Sequence, residues 1–278
     1  MSFPLEKFKT NGMAWPIELS KKHSNLEEKY FEFQKKSKEK LGMQVTLKPN
    51  LLSTFFYQLA MDENIINNIK KIIGEDIYIW SSAFFTKAPG EGKIVSYHQD
   101  SPYWQLNTEK VVTAWIALTN SDENSGALEI VPKSSGLGII NQLDVENPRI
   151  SYLEGVKTTK SNDMLSYNQN LDSYMENNKP VMINLKPNQF SLHHVNAVHG
   201  SGINKSSSYR IGYAVRYISS STEHLKGVKD SAIHVCGKKS QYFENELMPK
   251  SDFDLNAVVQ FNKAMKTSGA FGNKNYAD

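Results

Sequence analysis

Residues 77–86 read Ile-Tyr-Ile-Trp-Ser-Ser-Ala-Phe-Phe-Thr, and the character of the chain changes there. Upstream the pattern is helical. Leu26, Tyr30 and Phe33 recur at helical spacing in a Glu/Lys-rich stretch ending near Leu41 and Gly42, and a second helix is expected over 51–60. A third is marked at both ends: Asp62 can cap it, Ile65, Ile69, Ile72 and Ile73 line one face, and Gly74 stops it. Downstream come short β-rich runs at 77–86, 94–100, 111–119, 127–131, 181–185, 189–194 and 209–218. Turn formers such as Ala88-Pro89-Gly90 separate most of them, and no helical pattern intervenes as a parallel sheet would require. The expected class is α+β and mainly β: a jelly roll or β-sandwich flanked by N-terminal helices.

The 278 residues, 39% of them hydrophobic, suffice for one sizeable core. A single domain is expected, with a helical part at 1–75, a β core at 76–235 and an extension at 236–278. That extension should include a helix over 254–265 and a loose tail from Thr267. Lys+Arg 32 against Asp+Glu 29 leaves a net charge of +3, too even for a nucleic-acid binder. The lone Cys236 forbids an intrachain disulfide and any multi-cysteine zinc site. Without an apolar leader or a membrane-length run, the expectation is a cytoplasmic protein, monomeric or homodimeric, with no membrane partner.

Two places combine histidines with context. In Tyr97-His98-Gln99-Asp100 the imidazole and the carboxylate are two residues apart at a strand end, so they share a face. The other place is His193-His194 followed by His199-Gly200-Ser201-Gly202; a histidine from there would complete two His and one carboxylate, a set suited to non-haem Fe(II). Arg210 heads the otherwise apolar and aromatic run 209–218. An arginine facing a β core needs a carboxylate, and a dicarboxylate co-substrate chelating the metal at its other end would provide one.

Three segments carry a resemblance to the phytanoyl-CoA dioxygenase family of Fe(II)/2-oxoglutarate oxygenases: 97–104, 111–118 leading to 124–132, and 198–205 through Arg210. The resemblance runs from about Trp80 to Ile218 and implies a double-stranded β-helix, the cupin-like jelly roll. It also implies that His98, Asp100 and His199 ligate Fe(II), that Arg210 binds the far carboxylate of 2-oxoglutarate, and that Ser201 and Trp115 lie beside it. The implied reaction hydroxylates or otherwise oxidises a substrate C–H with O2. Chain position 132–135, Pro-Lys-Ser-Ser, departs from the family's common Pro-Gly-Ser-His, while the presence of Asp100 argues against halogenation.

Gln99, Tyr103 and Trp104 are the expected substrate-facing residues, and Tyr103 and Trp104 could wall a pocket for a small polar or cationic molecule. The polar insertion 133–180 is expected to form a lid. Between 133 and 179 it holds five Lys/Arg against six Asp/Glu, which favours a small metabolite over an acyl-CoA with its phosphate charges. The alternatives are an acyl-CoA 2-hydroxylase, a metal-binding jelly roll without catalysis, and a zinc hydrolase, which would leave Arg210 unexplained.

Overall fold

The computed structural model describes residues 5–104, 106–140, 162–165, 169, 171–225 and 230–267. Four helices precede the strand-rich part: α1 Leu5–Asn11, α2 Leu26–Leu41, α3 Thr54–Ala60 and α4 Glu63–Ile73. The strands are β1 Met13–Glu18, β2 Ile77–Lys87, β3 Val95–His98, β4 Val111–Ala117, β5 Leu128–Ile130, β6 Val181–Ile183, β7 Gln189–His194, β8 His199–Ser201, β9 Arg210–Ser219, β10 Asp230–Cys236 and β11 Phe243–Asn245. A C-terminal helix spans Leu255–Thr267. No helix among the described residues is long and apolar enough to cross a membrane.

Helix α4 follows its sequence signals. The Asp62 carboxylate accepts from the backbone N–H groups of Asn64 and Ile65, and Ile65, Ile69 and Ile73 are buried. The helix expected at 51–60 begins only at Thr54, because Pro49–Leu51 forms a separate 3-10 turn.

A seven-stranded sheet has the order β1-β7-β4-β9-β2-β10-β11, and a four-stranded sheet the order β3-β8-β5-β6. One face of the large sheet is covered by helices: Val112, Ala114, Ile116, Phe190, Leu192, Ile211, Tyr213, Val215 and Tyr217 pack with Phe33, Phe56 and the isoleucines of α4. The other face looks at the small sheet, where Trp115, Ala117 and Ala214 meet Leu128, Ile130 and Ile183. The space between is the interior of a jelly roll.

Strand β1 escaped the sequence reading because Pro16 interrupts it; it lies at the sheet edge, where a proline is tolerated. β8 is three residues long and contains a glycine, so no alternation could reveal it. In β2 a bulge between Ile79 and Ser81 interrupts the pairing with β9. Trp80 and Ser81 consequently both turn inward, and beyond them Ala83, Phe85 and Lys87 continue the interior row.

Candidate active site

Three interior residues converge. His98 ends β3 and is paired across the small sheet with His199, the first residue of β8. Asp100 follows in a loop held by β7's exit, its N–H donating to the Val195 carbonyl at 3.0 Å. Asp100 Oδ1 lies 3.5 Å from His98 Nε2, and Oδ2 lies 4.0 Å from His199 Nε2. The three candidate ligand atoms all lie within 4.8 Å of one another, and all three residues are buried.

The second nitrogen of each imidazole is committed. His98 Nδ1 is 2.8 Å from the Ser96 carbonyl, and His199 Nδ1 is 2.9 Å from the Ala197 carbonyl. A carbonyl only accepts, so each Nδ1 carries a proton and each Nε2 is the nitrogen turned to the shared point. Burial would raise the Asp100 carboxyl, but His199 and His98 hold it well below the usual carboxylate range. Burial, with His98 adding to it, brings the His199 imidazole down to about 4. Two imidazoles and one carboxylate is the donor set of a divalent-metal site.

Arg210 is 2% exposed and faces the same interior. Its Nη2 donates to Ser201 Oγ at 3.4 Å and its Nη1 to the Phe85 carbonyl at 3.3 Å, while its Nε has no partner among the described residues. The Trp115 ring lies over it, 5.6 Å from centroid to Cζ. Any side chain at position 212 would collide with that indole, so glycine there lets Trp115 lie against β9.

Lys87, directly across from Arg210 in the register of β2 and β9, was not anticipated. It is fully buried and donates to Ser201 Oγ at 2.7 Å, to the Ser201 carbonyl at 3.3 Å and to the Gly202 carbonyl. Burial and the neighbouring Arg210 bring its ammonium down to about 7. Two cations and the Ser201 hydroxyl thus gather at one end of the interior.

The histidine pair before His199 divides between two faces. His193 is 2% exposed, and its ring centroid is 4.8 Å from that of His199. His194 is half-buried, its Nδ1 accepting from the Asn196 N–H at 3.1 Å. His193, not His194, therefore borders the triad. Tyr103 meets His98 edge-on at 5.8 Å, and Trp104 is buried against Trp80 at 5.4 Å.

Gln99, expected to face a substrate, has its side-chain amide engaged elsewhere. Its amide donates to the Gly138 and Asn196 carbonyls, both at 2.7 Å, and its Oε1 accepts from the Ile140 N–H at 2.8 Å and from Gln169 at 3.1 Å. Being between His98 and Asp100, it points the opposite way and ties down Gly138, Ile140 and Gln169 of the 133–180 insertion. Residues 141–161, 166–168 and 170 of that insertion lie outside the described residues, as does the tail beyond Thr267. At the departure after Pro132, Lys133 adopts φ +66, the region where the family's glycine is at ease. Ser134 Oγ accepts from the Val198 N–H at 2.8 Å, bracing the approach to His199. A surface groove of about 820 Å³, lined by His23, Phe31, Asp122 and Tyr209 among others, includes none of the triad.

The chain belongs to the phytanoyl-CoA dioxygenase (PhyH) family, whose model matches residues 18–212. Among curated relatives, a probable alpha-ketoglutarate-dependent hypophosphite dioxygenase of Stutzerimonas stutzeri is 26% identical over 190 residues, covering 66% of this chain and 62% of the relative. An ectoine dioxygenase of Streptomyces avermitilis is 34% identical over 88 residues, 30% of each chain. The match thus spans less than two thirds of either relative. Among solved structures, a nickel complex of the non-heme monooxygenase ThoJ superposes with a TM-score of 0.72 at 22% identity, covering 94% of this chain and 95% of that one. EctD from S. alaskensis with bound Fe gives 0.60 at 14%, covering 89% and 84%. These two likenesses are likenesses of fold, and they agree with the jelly roll described above.

Proposed function

We propose that this chain is an Fe(II)- and 2-oxoglutarate-dependent dioxygenase that oxidises a C–H bond of a small metabolite while 2-oxoglutarate becomes succinate and CO2. The observation that carries this reading is the sharing of one interior by the His98/Asp100/His199 triad and the buried Arg210. The residues fit the ion: two imidazole Nε2 atoms with their Nδ1 protons already bound, and one carboxylate, aim at a common point. Iron held there by three protein ligands would supply the activation of O2 and leave positions for a chelating co-substrate.

The chain's own residues supply binding and enclosure. Arg210 offers a planar fork to a carboxylate, Ser201 offers a hydroxyl, and Lys87 adds charge beside them. Trp115 walls the middle of the interior with an indole that also stacks on Arg210. His193, Tyr103 and Trp104 border the remaining side, excluding bulk water from the reacting groups. A zinc hydrolase would have no use for the Arg210–Lys87 pair. The relatives' substrates, hypophosphite and ectoine by name, differ in charge and size, so the choice of substrate rests on this chain's own interior.

The test is turnover of labelled 2-oxoglutarate by the Fe(II)-loaded chain against a panel of small metabolites. Oxygen-dependent succinate and CO2 in equal amounts, stimulated by at least one metabolite, is the expected result. Failure to form succinate under any condition, with 2-oxoglutarate bound, would refute the activity.

A further inference from the structure

A second buried arginine lies on the same face of β9. Arg216 is 5% exposed, and its guanidinium lies over two rings, with Cζ 5.5 Å from the Phe85 centroid and 5.6 Å from the Trp104 centroid. Its one hydrogen bond among the described residues is long: Nη1 to the Ala214 carbonyl at 3.4 Å. No carboxylate pairs with it at contact distance among the described residues. The carboxylate whose charge reaches it is Asp100, which His98 and His199 already engage.

The strand register shows what surrounds it. Arg216 is opposite Ser81 on β2 and opposite Thr113 on β4, and Thr113 is opposite His193 on β7. Ser81, Arg216, Thr113 and His193 therefore form one row across four adjacent strands, on the interior face, ending beside the triad. All four are at least nine-tenths buried. Ser81 Oγ, Arg216 Nε, Thr113 Oγ1 and His193 Nδ1 each lack a hydrogen-bond partner among the described residues. Buried polar atoms are almost always paired, so four orphans in one row mark a place built for a polar ligand. A buried, unpaired arginine at its centre calls for a negative charge.

We infer that this row is the substrate subsite and that the substrate carries an anionic oxygen group, a carboxylate or phosphonate, which docks on Arg216 with the Ser81 and Thr113 hydroxyls. This rests on the oxygenase reading for its placement beside the metal. It also narrows the expectation from sequence that Tyr103 and Trp104 could wall a pocket for a small polar or cationic molecule. The cation stacked on Trp104 is the protein's own Arg216, and what it selects is the opposite charge. The bulge at Trp80 is the device that sets Ser81 on the interior face opposite Arg216.

The test uses the full chain loaded with Ni(II) and 2-oxoglutarate, titrated with short monocarboxylates, with methylphosphonate, and with the corresponding amides and neutral ester. Binding is read by the fluorescence of the buried tryptophans and by calorimetry. At least one anion should saturate the protein while its neutral counterpart does not, and the two anion series tell carboxylate from phosphonate. Arg216→Gln should weaken that binding at least 10-fold, about 1.4 kcal/mol, with 2-oxoglutarate affinity within threefold of wild type. Should Arg216→Gln fail to fold, Thr113→Val carries the test. Its hydroxyl has no partner to lose, so the melting temperature of the ligand-free protein should hold or rise while anion affinity falls severalfold.

Equal binding of anions and neutral counterparts, no binding of either, or destabilisation by Thr113→Val would overturn the proposal. Absence of 2-oxoglutarate binding in the wild type would instead indict the oxygenase reading.

Discussion

The two faces of β9 are built on opposite rules. On the helix side, Ile211, Tyr213, Val215 and Tyr217 are fully buried, and the two phenols are satisfied: Tyr213 donates to the Phe56 carbonyl at 3.3 Å and Tyr217 to the Ala60 carbonyl at 2.7 Å. On the interior side, Arg210 and Arg216 are almost as deeply buried, yet among the described residues each keeps an unpartnered Nε, and Ser81, Thr113, Ser191 and His193 around them keep unpartnered atoms too. One face is finished by folding. The other is left for ligands to finish, and folding free energy is spent keeping it so. Substitutions on the first face should therefore read out in stability and those on the second in binding.

The largest stability effect belongs to the helix side. Phe56 is 1% exposed and meets Phe33, Phe84 and Tyr213 at ring distances of 5.4, 4.8 and 5.5 Å. Phe56→Ala should cost about 3–5 kcal/mol in denaturant unfolding. A loss below about 1 kcal/mol would mean this face is not the structural one.

On the interior side, Arg210→Lys keeps the charge and loses the fork. The dissociation constant for 2-oxoglutarate should rise about 10-fold, roughly 1.4 kcal/mol, with little change in melting temperature. Unchanged affinity with collapsed stability would make Arg210 structural and break the comparison.

Tyr217→Phe sharpens it on a similar scale. The Ala60 carbonyl at the end of α3 would lose its buried donor, for about 1–2 kcal/mol in unfolding, with no effect on 2-oxoglutarate affinity.

The smallest effect is in pH dependence and involves Lys87, whose ordinary value of 10.5 falls to about 7. Between those values the unfolded chain holds a proton that the folded, ligand-free chain lacks. This group therefore makes the ligand-free protein more stable as pH rises above 7. A carboxylate arriving beside Lys87 favours the ammonium, so 2-oxoglutarate should bind with uptake of a fraction of a proton at pH 8 and more weakly as pH rises further. Calorimetry in two buffers of different ionisation heat measures the uptake. Proton release, or uptake that persists in Lys87→Met, would remove Lys87 from the co-substrate end.

What the sequence disclosed and what it hid follow from the same physics. Helix α4 was legible because four isoleucines, an Asp cap and a Gly stop all agreed. His98, Asp100, His199 and Arg210 were legible through motif spacing, and all four face one interior. Gln99 was misplaced although alternation alone assigns it to the face opposite its two neighbours. Whether His193 or His194 bordered the metal site depended on a one-residue register that no local pattern fixes. Lys87 lay one residue beyond the apolar run, and the alignment of Ser81 with Arg216 depended on a bulge invisible in the residue types. Local periodicity reveals faces, and only strand pairing reveals rows.

The central claim is that His98, Asp100 and His199 hold Fe(II) together with 2-oxoglutarate. Anaerobic addition of both to the protein tests it most directly, by the weak visible charge-transfer band of the chelate. The band should appear in the wild type only when both are present, be lost in His199→Ala, and require higher 2-oxoglutarate in Arg210→Lys. No band in the wild type, or an undiminished band in His199→Ala, would contradict the account.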